Sequence, residues 1–228
     1  MRWLLWKDYR INRLLLTFGL AVCLGPYVVA VAPSLLFGLW GGQAWWAPGF
    51  WVDVYGISIW LSLFTFAMLG GNAVAAERAD RSAEFLAYLP VSRGTVLASK
   101  SVIALGPTLL IWAVNLAALF IVAPAITHVP AADILAKSDV PESLGVFAGL
   151  TVLLLGSGWF WSTILTSHGL ATGMSFFTLV VVLMGLTGLG LGSELGSFLE
   201  KWFVSVCVAV GIGGYVVGCT YYLRRLEP

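Results

Sequence analysis

The chain has 228 residues, 60% of them hydrophobic and 14% aromatic, with 12 basic and 11 acidic side chains and a formal net charge of +1. A soluble domain is nearer half apolar and a quarter charged, so this composition excludes an ordinary soluble fold. The near-zero net charge gives no footing for nucleic acid, and no such partner is expected.

Lipid can be the solvent instead, and then backbone polar groups must be satisfied inside helices or a closed barrel. A barrel needs segments of about ten residues that alternate polar and apolar. This chain carries continuous apolar runs such as 176–191. The fold class is therefore an all-α integral membrane protein, read as one transmembrane domain over 1–228.

The N-terminus carries Arg2, Lys7, Arg10 and Arg13 before an apolar run that includes the signal-like Ala30-Val31-Ala32 and extends past the usual signal length. Pro33 follows and disfavours cleavage of a signal peptide, so this run is a retained first span. A span needs about 20 largely apolar residues. Spans are predicted at 14–40, 52–76, 99–122, 143–166, 171–191 and 202–223. Pro26 and Pro33 predict a kink in the first. Trp40, Trp45, Trp46, Phe50 and Trp51 follow it and read as an interfacial belt, with an aromatic ligand site as the alternative. Gly145 and Gly149, Gly188, Gly192 and Gly196, and Gly214 and Gly218 are spaced four apart on single faces. Small residues so placed let helices pack closely, within one chain or between chains. Cys23, Cys207 and Cys219 all sit in apolar stretches, a spacing that suits neither zinc nor a disulfide framework.

Ten of the 12 basic residues fall at the termini or in even-numbered loops; Lys137 and Lys201 fall in odd-numbered ones. The positive-inside rule puts both termini and the 77–100 segment in the cytoplasm, in a cytoplasmic (inner) membrane.

The 77–100 segment holds seven charged side chains: Glu77, Arg78, Asp80, Arg81, Glu84, Arg93 and Lys100. Asp80 or Ser82 can cap a short helix. Phe85 and Leu89 are four apart and share one face. Pro90 ends that helix, and Ser92 can cap the next, which runs through Lys100 into the third span. A short amphipathic helix at the membrane surface results. It suits a lipid anchor. It equally suits docking onto a cytoplasmic protein through Phe85, Leu86 and Leu89, with the charges as a rim.

Glu77-Arg78, Glu84-Phe85-Leu86, Leu89-Pro90-Val91-Ser92-Arg93 and Lys100 together resemble the charged stretch after the second span in permease subunits of ABC-2-type transporters. The N-terminus, with Trp3, Trp6, Lys7 and Tyr9, resembles that family's amphipathic opening helix. The motif covers about a tenth of the chain, and the external loops are shorter than in larger members. The resemblance implies a coupling helix between spans 2 and 3 and two copies of an ABC ATPase on the cytoplasmic loops. It also implies a second permease, identical or not, and an exporter driven by ATP and magnesium on the ATPase. It leaves open whether solute moves or mechanical work passes to an external accessory protein.

The chain itself lacks a phosphate-cradling loop, since none of its four lysines follows a glycine. No cofactor or metal is expected on it. Two rivals remain. An intramembrane hydrolase would use Ser157 and His168, the latter in the short loop that follows, but these are about 16 Å apart if counted along a helix and could meet only if the chain turned back. An ion-coupled transporter would carry charge in mid-span. Asn115 is the clearest polar residue there, and it suits either a bond between helices or contact with substrate in a pathway.

Overall fold

The computed structural model describes residues 2–37, 48–79, 91–130, 132–133, 140–189 and 195–225. The described elements are α1 (Arg2–Phe37), α2 (Pro48–Asn72), α3 (Ala75–Ala79) and α4 (Arg93–Ala117). A π turn (Ala118–Val122) leads into α5 (Ala123–Thr127), and α6 (Val140–Ile164), α7 (His168–Leu189) and α8 (Leu195–Arg225) follow. Six of these helical stretches are long and apolar enough to cross a membrane. The protein is an all-α, multi-pass membrane protein.

Local chemistry accounts for several boundaries. Ser92 is extended (φ −66°, ψ 141°), and its hydroxyl accepts the Thr95 N–H at 3.3 Å, the expected cap. His128, at φ 55°, ends α5 in the left-handed conformation. The π turn immediately precedes the turn containing Pro124, whose ring cannot donate to the helical ladder.

The first element differs from the sequence reading. The amphipathic N-terminus and the first span form one helix of 36 residues, which remains helical through Pro26 and Pro33. At 1.5 Å per residue it is about 54 Å long, well beyond a hydrocarbon core of about 30 Å. Its first turns sort by face. Leu4 and Asp8 are buried, whereas Trp3, Trp6 and Tyr9 are exposed, as interfacial aromatics would be.

Burial is unequal. In the most apolar window of each span, 56% of α2 and 61% of α6 is buried, against 11% of α1 and 17% of α8. The centre of the bundle is therefore α6, packed on α2 and on α8. Glycines permit this. A Cβ at Gly156 would collide with the Gly211 carbonyl of α8, and one at Gly70 with the Leu155 carbonyl. A Cβ at Gly158 would lie 2.9 Å from the Gly71 nitrogen. Of the glycines expected to pack, Gly149, Gly214 and Gly218 meet partners in this chain, while Gly188 faces open space. Gly192 lies outside the described residues.

Trp51 is a correction. The sequence reading puts it in an interfacial belt, but it is buried in α2 beside Ala123 and Tyr27. Trp40, Trp45 and Trp46 lie outside the described residues. At the opposite end of the bundle, Arg93 donates to the Leu223 carbonyl at 3.3 Å, and Lys7 meets Glu77. The two ends of the chain therefore share one end of the bundle, as an even number of spans requires.

Gly158→Ala should destabilise the protein by about 1–3 kcal/mol, because backbone atoms of α2 cannot yield to the added methyl. Gly173→Ala, which meets nothing within 4 Å, should be neutral or stabilising, since alanine is the better helix former. Thermal unfolding of the two purified variants checks both.

Candidate functional site

Charge is rare in this chain, so its buried members stand out. Asp8, Glu77 and Lys100 are each less than 5% exposed. They come from α1, α3 and α4 and converge at the end of the bundle that holds both termini. Glu77 lies between two ammonium groups. Lys7 Nζ donates to its Oε1, and Lys100 Nζ lies 2.9 Å from its Oε2. Lys100 also donates to the Ala73 carbonyl at 2.9 Å, at the turn between α2 and α3. Ser99 donates to Asp8 Oδ2 at 2.6 Å, and Lys7 lies 3.7 Å from Asp8 Oδ1. Asn72 of α2 donates to Asn12 of α1, and Asn12 donates to the Asp8 carbonyl at 2.8 Å. Two carboxylates and two ammoniums thus sit in one network that touches four elements.

Why such a network persists follows from desolvation. A lone charge here would cost several kcal/mol, and only a well-bonded opposite charge offsets it. Burial alone would raise the Glu77 pKa. Lys100 first and Lys7 next outweigh burial and hold it below the usual carboxylate value. A cavity of about 10 Å³ beside Asp8, Asn12 and Lys100 has room for roughly one water.

The residues of the 77–100 motif therefore divide. Glu77 and Lys100 are corrected from an exposed rim to the interior: they fasten the two chain segments that flank residues 80–90. Arg78 is partly exposed and donates to the Ile164 carbonyl at 3.2 Å, at the end of α6. Arg93 reaches the end of α8. Asp80, Arg81, Glu84, Phe85, Leu86, Leu89 and Pro90 lie outside the described residues.

Lys7, Asp8 and Ser99 are members that sequence reasoning missed. A signal for Asp8 was present. It stands four residues after Leu4 and four before Asn12, on the buried stripe of a helix whose other early charges are all basic.

A second polar cluster lies deep in the spans. Asn115 is fully buried. Its Oδ1 accepts from Tyr27 at 2.9 Å, and its Nδ2 donates to Cys23 Sγ at 3.3 Å and to the Ile111 carbonyl at 2.9 Å. Ser58 donates to the Cys23 carbonyl at 2.7 Å. These bonds tie α1 to α2 and α4, which is the interhelical role. Ser157 donates to the Leu153 carbonyl at 2.6 Å and lies 3.1 Å from the Ser175 hydroxyl, while His168 is exposed at the start of α7. Among the described residues no group of three or more His, Cys, Asp and Glu could hold a metal ion.

No family model matches the chain, and no curated protein or solved structure does.

Glu77→Gln should lower stability by about 3–5 kcal/mol, because Lys100 is left buried without its counter-charge. The pH dependence has a definite sign. A depressed carboxylate pKa contributes stability above the unfolded value of about 4.3, and that contribution is lost as pH falls through the folded value. Wild-type unfolding temperature should therefore drop on acidification below about pH 4, and this component should vanish in Glu77→Gln.

Proposed function

We propose that the chain is the permease subunit of an ATP-binding-cassette exporter of the ABC-2 type. In this reading two permeases form the path, and two ATPase subunits carry ATP and magnesium. The basic end of the bundle, with both termini, faces the cytoplasm in the inner membrane.

One observation carries the proposal. Glu77 and Lys100, the outer members of the motif, form an ion pair of 2.9 Å between the helices that precede and follow residues 80–90 in the chain. A force applied to that segment has a short route into the bundle. Through Glu77 it reaches Lys7 and hence α1; through Lys100 it reaches α4 and the Ala73 turn after α2. A segment that served only as a lipid anchor would not need buried charges at both of its roots. Motion of α1 and α4 against the central α6 would then open or close a path. Each state must bind the ATPase pair differently, or hydrolysis could not drive the change. The same stroke would serve solute export or mechanical work on an external accessory protein.

Phe85→Ala and Leu89→Ala should weaken ATPase association, each by about 2 kcal/mol or more, while the protein still reaches the membrane. Arg81→Ala should cost only about 0–1 kcal/mol. The assay is recovery of an ATP-hydrolysing partner on the tagged chain from native membrane, with membrane levels measured in parallel. Equal recovery by wild type and both alanine variants would refute the coupling role.

A further inference from the structure

At the basic end, α1 and α7 stand apart on either side of α2 and leave an open groove of about 420 Å³. That is within the range of small-molecule sites. Its wall is apolar, from Ile11, Leu15 and Phe18 of α1 and Met68 of α2, and its polar lining comes from Asn72, His168 and Thr172. The groove follows α1 from its basic end inward. Phe18 lies two turns beyond Arg10, about 12 Å along the axis, against about 15 Å for one leaflet of hydrocarbon.

Two arginines adjoin residues that line the groove. Arg10 is four residues before Leu14 and eight before Phe18, so it shares their face of α1. It is exposed, with its guanidinium 5.5 Å from the Trp6 ring. On the α7 side, Arg78 follows the lining Ala76 by two residues and donates to the carbonyl of Ile164, which precedes the lining His168 by four. Among the described residues neither arginine has a carboxylate partner, because Asp8 and Glu77 are taken by Lys7, Lys100 and Ser99. The α7 N-terminus at His168 adds the positive end of a helix dipole.

The geometry points to a specific site for one anionic phospholipid: an acyl chain along Leu15, Phe18 and Met68, and a phosphate headgroup between Arg10 and Arg78. Such a site requires only the membrane-spanning fold. A second copy of the chain fits less well. A twofold interface sets the same patch against itself, so these arginines would meet arginines. An anionic headgroup instead neutralises both arginines.

Native mass spectrometry of the purified full chain tests this, with dioleoyl phosphatidylglycerol or dioleoyl phosphatidylcholine added at equal concentration. Each basic side chain near a headgroup favours an anionic lipid, and two together give a roughly 30-fold preference. Wild type should retain one phosphatidylglycerol under activation that strips phosphatidylcholine. Arg10→Gln/Arg78→Gln should reduce the preference to about threefold or less. Met68→Trp and Leu14→Trp, at side chains 36% and 77% exposed, should occlude the groove and release the bound lipid. Arg2→Gln, at the same end but outside the groove, should change nothing. Equal retention of the two lipids by wild type would overturn the site. So would phosphatidylglycerol that persists in both tryptophan variants. If those variants instead convert a dimer to a monomer with lipid retention unchanged, the groove is an interface between copies and the lipid site is refuted.

Discussion

A buried charge must find its opposite, and in this protein that requirement falls on Glu77. Its two oxygens are divided between Lys7 and Lys100, which belong to helices that are far apart in sequence. Removing Glu77 leaves Lys100 without its ion-pair partner in a poorly solvated place, whereas removing either lysine leaves Glu77 with the other. The start of α1, the turn after α2 and the start of α4 are therefore positioned together. A set of apolar residues would tolerate sliding; ion pairs with fixed donors and acceptors define a register. That is why the network matters more for geometry than for net stability, since a well-packed apolar replacement can be as stable.

The rest of the bundle is arranged so that this end can be tied to a firm centre. α6 contributes Gly156 and Gly158, where backbones of α8 and α2 approach too closely for any side chain. Within lipid there is little hydrophobic drive to bring helices together, so close backbone contact and buried hydrogen bonds take its place. The bonds from Tyr27 and Cys23 of α1 to Asn115, and from Ser58 to α1, do this on the other side. α1 is thus held at two depths, by charge at its N-terminal end and by neutral polar groups midway. Between those depths it borders the groove with α7. α6 packs on α2 and α8, and α1 is the least buried of the six spans.

Much of this was legible in the sequence, and the reasons differ from residue to residue. Long apolar runs identify spans because lipid leaves a chain few other options, so the positions of α2, α6 and α7 were readable to within four residues, whereas α4 begins six residues before the expected span. Ser92 was readable as a cap because the signal is local. The gathering of Glu77 with Lys100 was not, although both belong to the charged 77–100 stretch. A charge near a membrane surface is normally solvated, and only the fold reveals that α1 covers these two. Lys7 and Asp8 were hidden for the same reason: they pair over 70 and 91 residues of sequence. Trp51 was misread because the aromatic count in 40–51 fits an interface, while its burial depends on Tyr27 and Ala123 from other helices. Gly156 and Gly158 escaped because they are spaced by two and face different partners, whereas the familiar packing signal is a spacing of four.

If buried charge organises this end of the bundle, Glu77 and Lys100 must act as one coupled unit rather than as two residues that happen to be close. A double-mutant cycle measures this directly, from the unfolding free energies of Glu77→Ala, Lys100→Ala and the double variant against wild type. Coupled buried partners should show an interaction energy of about 1–3 kcal/mol, with the double variant much less destabilised than the sum of the singles. Additivity to within about 0.5 kcal/mol would mean that the two are independent, and would contradict the organising role of the charge network.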